Sequence, residues 1–311
     1  MNTHRFVRAQ TSAAEAIEAL HTVRDLIRYA VSRMQSAGVC LGHGTDELFD
    51  EAAWLVLWSL HLPLERLEPF LDARLTPTER VAAVALIERR CTERLPSAYL
   101  TGEAWLRGMR FLSDARALVP RSPIAELFDG DALLPWLPDP EAVSTVLDLC
   151  TGGASLAVLV AHAYPNAQVI GSDLSPDALA LAAENIALHR LTERVQLRQG
   201  SLWAPLQDQR FDLIVCNPPY VNSDSMAALP LEYRHEPQQA LAGGPDGMDL
   251  IRIILEGAAS HLNEAGIMVL EVGHEAAHFE AAFARLEGIW LPIAAGDDQL
   301  VLLERSALAR L

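Results

Sequence analysis

The chain contains no lysine: its 24 Lys+Arg residues are all arginine, against 41 Asp+Glu, for a formal net charge of −17. A field of that sign repels phosphate backbones, so tight nucleic-acid binding would need a local arginine patch working against it. The same charge attracts a basic partner, and it equally serves solubility; composition does not choose between these. Cysteine is scarce. Cys40, Cys91, Cys150 and Cys216 stand far apart with no CxxC pair, which argues against a disulfide framework or zinc site and for reduced, cytoplasmic chemistry. The ten histidines form no HExxH-type cluster, and no metal is expected. No apolar run reaches the roughly 18 residues a bilayer span requires, and Met1 to Gln10 lacks an apolar signal core. There is no internal repeat and no low-complexity segment. What is present is a chain of 311 residues, half of them hydrophobic, long enough to bury one or two cores.

One stretch organises the reading. Phe211 to Cys216 is an apolar run of buried-strand character, and it ends abruptly in Asn217-Pro218-Pro219-Tyr220. Each proline fixes φ near −65° and has no N–H for a ladder, so the strand stops and the backbone leaves as a stiff, extended arm. That arm offers carbonyls without donors, the Asn217 side-chain oxygen and the flat Tyr220 ring. The set suits a planar group whose NH2 needs two acceptors. A plain Pro-Pro turn is the alternative.

Taken in order, Thr11 to Ala37 carries apolar residues at helical spacing and Gly38 is a stop; Asp46 to Leu60 is a second helix. Thr76, Pro77 and Glu79 form a capping box that opens a helix running to about Glu93. Residues 1–98 thus read as a helical domain suited to substrate recognition. Residues 99–120, with Gly102 and Gly108 at turns, read as a β-hairpin linker. Ser122 caps a further helix, with Glu126 placed to return the bond. Residues 121–311 then alternate: strands at 144–149, 167–172, 195–198, 211–216, 267–272 and 300–303, helices at 154–163, 175–190, 249–261 and 276–286. Such alternation predicts an α/β, doubly wound parallel sheet with ligands at the carboxyl ends of its strands.

At the first strand-helix junction lies Asp148-Leu149-Cys150-Thr151-Gly152-Gly153-Ala154. Glycine there permits a tight turn and close approach of backbone N–H groups to a ligand. Asp173 ends the next strand and is placed to accept from ribose hydroxyls. The loop lacks G-x-G-x-x-G, and nothing supplies hydride chemistry, which disfavours a nicotinamide site. The combination resembles the Rossmann-like, seven-stranded S-adenosyl-L-methionine-dependent methyltransferases, and Asn-Pro-Pro-Tyr narrows it to those that methylate planar nitrogens.

Several further stretches resemble one family, the ribosomal-protein glutamine N5-methyltransferases: Gly42-His43-Gly44-Thr45-Asp46, Ala98-Tyr99-Leu100-Thr101, Leu118-Val119-Pro120-Arg121-Ser122-Pro123-Ile124, Glu232 to Pro237, Ala240 to Gly244 and Glu271-Val272-Gly273. The resemblance runs from about Leu26 to Leu303. It implies methylation of a glutamine amide on the third protein of the large ribosomal subunit, a basic partner, with no membrane and no specific nucleic acid. It implies that Asn217 and Pro218 accept the amide N–H groups, Pro219 stiffens the arm and Tyr220 stacks on the amide. It gives Asp148, Cys150, Thr151, Gly152, Gly153, Ala154, Asp173, Leu202, Asn217 and Arg121 to the cofactor, Arg121 through its carboxylate or else as a surface ion pair. Glu232, Glu236 and the Gly243-Gly244 turn would shape the peptide channel, or the glutamates would sit in a solvated loop. Two departures stand out. The family's Thr-Gly-Ser-Gly loop is Thr151-Gly152-Gly153-Ala154 here; a Cβ at 154 should crowd the cofactor and resist positive φ, with Gly153 restoring freedom. At the third strand's end Gly200-Ser201-Leu202 lacks the family's acid. The rivals are the release-factor branch, which usually has Pro-Arg-Pro-Asp-Thr-Glu where this chain has Pro120-Arg121-Ser122-Pro123, a nucleic-acid adenine methyltransferase, and an inactive binding module that kept the fold.

Overall fold

The computed structural model describes residues 11–294 and 296–311; the reading of Met1 to Gln10 lies outside them. The chain forms two compact units. One runs through Thr101 and takes in Leu231–His235; the other holds Gly102–Pro230 and Glu236–Leu311.

The first unit is helical: α1 (Ala13–Ala19), α2 (Val23–Ala37), α3 (Leu48–Ser59), α4 (Pro77–Glu93) and α5 (Ser97–Thr101). The single helix expected over Thr11 to Ala37 is two. Ser12 with Glu15, and Thr22 with Asp25, each close a capping box, and the second box starts a new helix where apolar periodicity alone runs on. Gly38 caps α2 in the left-handed region at φ 63°, a conformation glycine adopts without a Cβ penalty. Leu26, Ile27 and Met34 of α2 pack with Leu55 and Val56 of α3 and Val84 and Ile87 of α4. Among them lies Arg90, 1 % exposed. Its Nε donates to Glu51 at 2.5 Å, its Nη1 to Glu232 at 3.1 Å and its Nη2 to the Cys40 carbonyl at 2.9 Å. Arg94 Nε adds a 2.7 Å bond to Glu232. Glu232 is therefore fully buried and paired, which corrects the solvated-loop reading.

The second unit opens with the hairpin β1 (Glu103–Leu106) and β2 (Met109–Leu112). It continues through β3 (Thr145–Leu149), α6 (Ser155–Ala163), β4 (Gln168–Asp173), α7 (Pro176–Leu188), β5 (Val195–Gln199), β6 (Phe211–Cys216), α8 (Ser223–Ala228), α9 (Asp249–Ala258), β7 (Leu262–Glu271), α10 (Ala276–Ala282), β8 (Ile289–Ile293), β9 (Gly296–Glu304) and α11 (Arg305–Leu308). The sheet order is β5-β4-β3-β6-β7-β9-β8. β3 to β7 are parallel; β9 runs antiparallel to β7 and to β8. This is the seven-stranded Rossmann-like arrangement. Periodicity missed β8, an edge strand in which only Leu291 is fully buried and the others are half-buried or exposed. Between Ser122 and Asp129 the expected helix is a 3₁₀ turn, Pro123–Phe128. Glu126 does not return the capping bond but accepts from the Ala294 N–H at 2.9 Å.

The parallel strands all end on one rim, at Leu149, Asp173, Gln199, Cys216 and Glu271. Chain order reverses between β3 and β6, the switch point at which such sheets take ligands.

Candidate active site

A cavity opens at that rim. Residues 149–153, 172–175, 200–202, 217–221 and 271 line it, together with 116–122 and parts of 237–241. The 151–153 loop, Asp173 and the Asn-Pro-Pro-Tyr arm thus line one cavity.

The loop is held from below. Asp173 Oδ2 accepts from the Gly152 N–H and Oδ1 from the Ser175 N–H, both at 2.9 Å. A carboxylate has about four lone-pair sites, so two remain. Asn185, 0 % exposed on α7, donates to the Gly153 carbonyl at 2.9 Å and clasps Leu112 of β2 through both backbone groups. Sequence reasoning missed it; an asparagine on the apolar face of a helix beside Ala182 and Ile186 was the available signal.

The arm is held from above. The Gly243-Gly244 turn and Gly247 lie against the Tyr220 backbone: a Cβ at Gly243 would sit 2.7 Å from Tyr220 Cα, and one at Gly247 would overlap the Tyr220 carbonyl. The Tyr220 hydroxyl donates to Glu271 Oε1 at 2.8 Å. Asn217 is half-buried, lines the cavity and makes no side-chain hydrogen bond among the described residues.

Other expected residues are placed differently. Asp148 does not line the cavity. It is 1 % exposed, and its Oδ2 accepts from Thr151 Oγ1 at 2.6 Å and from the Ala157 N–H at 2.9 Å, so it ties the loop to the start of α6. Burial pushes its carboxyl up to about 7. A native-state pKa raised above the unfolded value of about 3.9 favours folding at low pH, and this preference is lost as pH rises to about 7. Asp148→Asn, which keeps one acceptor oxygen, is expected to gain on the wild type in unfolding temperature between pH 4 and 7 and run parallel above. A pH-independent offset would show that Asp148 does not titrate there.

Ala154 also lies off the cavity wall. Contrary to expectation it adopts φ 63°, while Gly153 does not; Gly152 does, at 53°. The Ala154 methyl is buried in the core with Phe111 and Ile124, and its N–H bonds the Thr151 carbonyl at 2.8 Å. That fixed turn sustains a strain of about 1–3 kcal/mol, and the Cβ crowds the core side rather than the ligand side.

Arg121 lines the cavity, but its guanidinium grips Glu236 at 2.5 and 2.8 Å. Glu236 is 2 % exposed and also accepts from the Val119 N–H; it too is no solvated residue. The fold brings together two cysteines that spacing kept apart. Cys216 stands opposite Leu149, both it and Cys150 pack into one cluster, and burial, with the Cys150 thiol beside it, pushes the Cys216 thiol well up.

The family model described as "Methyltransferase small domain" matches residues 129–232. The ribosomal protein uL3 glutamine methyltransferase of Bordetella pertussis is 58 % identical over 289 residues, covering 93 % of this chain and 97 % of that protein. Those of Burkholderia pseudomallei and Neisseria gonorrhoeae are 55 % and 47 % identical over 294 residues, covering 92 % and 94 % of this chain and 95 % and 98 % of theirs. This chain belongs to the ribosomal protein uL3 glutamine methyltransferase family. It is an enzyme of that family, and its cofactor is S-adenosylmethionine.

The cavity fits this cofactor. Ser172 lines it, and its buried hydroxyl has no partner among the described residues. Asp173 and Glu271 contribute carboxylates, whereas Arg116 and Arg121, its two basic residues, are both ion-paired. A positively charged group such as a sulfonium is favoured there. Among the described residues no helix is long and apolar enough to cross a membrane, and no cluster of metal-ligating side chains occurs.

Proposed function

We propose that this enzyme methylates the side-chain amide nitrogen of a glutamine on ribosomal protein uL3. The observation that carries the reading is the uncommitted Asn217 amide on the cavity wall it shares with Asp173; the relatives' names supply the substrate. Bound S-adenosylmethionine provides a methyl group on an electrophilic sulfonium. The chain's task is orientation, because an amide lone pair is delocalised into its carbonyl. Asn217 Oδ1 and the Pro218 carbonyl each accept one N–H of the substrate amide. These two in-plane bonds fix the amide plane so that the nitrogen lone pair, perpendicular to it, faces the methyl donor, and they stabilise the positive charge that grows on nitrogen until one N–H proton is released to solvent. Pro219 removes backbone freedom from the arm, and Tyr220 offers its ring to the amide plane. Asp173 takes the ribose hydroxyls; residues 150–153 and Leu202 wall the remainder. The helical unit, residues 1–98 in the sequence reading, carries recognition of the basic substrate protein.

Mass spectrometry of uL3 from a deletion strain tests the reading. The protein should be lighter by one methyl group at a glutamine, with restoration by the wild-type gene. An unchanged mass would refute it. For the cofactor half, Asp173→Ala is expected to weaken S-adenosylmethionine roughly tenfold or more, from about 1.5–3 kcal/mol of charged hydrogen bonding. Equal affinity by titration calorimetry would reject the assignment.

A further inference from the structure

Glu271 was noticed in the sequence only as part of a family match, yet it is the terminal residue of β7 on the rim, adjacent to the strand that carries Asn217. It is 4 % exposed and lines the cavity. Its two oxygens are taken by two hydroxyls: Tyr220 on Oε1 at 2.8 Å and Ser122 on Oε2 at 2.5 Å. Three other buried acids, Glu51, Glu232 and Glu236, are held by guanidinium groups. Glu271 is held by neutral donors, with the Arg121 charge nearby already bonded to Glu236. Burying a carboxylate without a hydrogen-bonded cation is costly, and plain packing would be served better by an apolar side chain.

The surroundings of Tyr220 supply the reason. Gly273, at φ 53°, lies against the hydroxyl end of the ring; a Cβ there would stand 2.5 Å from Tyr220 Cε2. Gly243 and Gly247 press on the Tyr220 backbone in the same way. Gly243 and Gly247 thus hold the Tyr220 backbone and Gly273 lies against the hydroxyl end of its ring, but these contacts do not by themselves set where the hydroxyl sits. The bond from hydroxyl to carboxylate sets that position, and Ser122 sets the carboxylate.

We propose that Glu271 is a positioning residue for methyl transfer, fixing through the Tyr220 hydroxyl the aromatic face presented to the substrate amide. The inference rests on the reading of the Asn217–Tyr220 arm as the amide site. Since misplacement by about 1 Å can cost 100-fold in rate, Glu271→Ala and Tyr220→Phe should each lower kcat by roughly 30- to 100-fold. KM for uL3 and cofactor affinity should change less than about threefold, because contacts made equally in ground and transition states are kept. Glu271→Gln retains an acceptor for the tyrosine hydroxyl and should recover most of the loss. The double variant Glu271→Ala/Tyr220→Phe should lose no more than either single one, since both remove the same bond.

Wild-type kcat in Tyr220→Phe, or multiplying losses in the double variant, would overturn the proposal. Should Glu271→Ala fail to fold, Tyr220→Phe and Glu271→Gln decide it alone. Asn217→Ala separates the two levels: if that variant is active the arm itself is misread, whereas an inactive Asn217→Ala beside a fully active Tyr220→Phe sinks only the role of Glu271.

Discussion

Asn217→Ala is expected to lower methyl transfer by a factor of about 10²–10³, the loss found when one preorganised group facing developing charge is removed, while the protein stays folded and binds S-adenosylmethionine within about threefold of the wild type. The structure explains the separation. The Asn217 side chain bonds no other described residue, so truncation leaves no buried donor or acceptor orphaned. The loop, Asp173 and Asn185 hold their geometry without it. Single-turnover methylation of uL3 together with titration calorimetry checks both halves. Transfer at the wild-type rate would show that the Asn217–Tyr220 arm is misread as the amide site; joint loss of binding and turnover would assign Asn217 to the cofactor instead.

The second large effect lies in the helical unit. Arg90→Leu is expected to destabilise that unit by about 3–5 kcal/mol, the range for breaking a buried ion pair from one side. The reason is that two carboxylates, Glu51 and Glu232, 5 % and 0 % exposed at their side chains, lose a shared cation. Glu232 would keep Arg94, and Glu51 would keep Ser97 at 2.5 Å, which bounds the loss. Burial pushes the Glu232 carboxyl up, but hydrogen bonds from Arg94 and the Cys40 N–H outweigh burial and hold it below its usual range. A depressed native pKa contributes stability above the unfolded value, about 4.3, and that contribution is lost as pH falls through the native value. The wild-type helical unit should therefore weaken in acid below about pH 4, and Arg90→Leu less steeply. Urea unfolding at pH 7 and pH 3 measures both; a loss under 1 kcal/mol at pH 7 would show that the cluster is not cooperative.

The fold, and which residues meet at the candidate site, could in good part be read from short stretches. Asn217 to Tyr220, the 151–153 loop and Asp173 act through local chemistry: a strand, an abrupt stop, a turn that needs glycine, an acid at a strand end. Residues that act through distant partners were opaque. Glu232 meets Arg90 across 142 residues, Glu271 meets Ser122 across 149 and Glu236 meets Arg121 across 115. Nothing near them in sequence distinguishes a buried anchor from a solvated acid. Ala154 failed for another reason. A positive φ in alanine is unfavourable locally, and only the surrounding core and the Thr151 bond make it the lesser cost. The break between α1 and α2 was legible in principle, in Thr22 and Asp25, but the apolar rhythm masked it.

Leu231–His235 belongs to the helical unit although 129 residues of the other unit precede it. A single cut after Thr101 would not yield two intact pieces. It would leave the downstream fragment with Glu232 stripped of Arg90 and Arg94, and the upstream fragment with those arginines facing an empty slot. Protease nicking in the 94–102 region should therefore release no separable helical fragment under native conditions. Swapping this module between relatives would call for a discontinuous graft that carries the pentapeptide along.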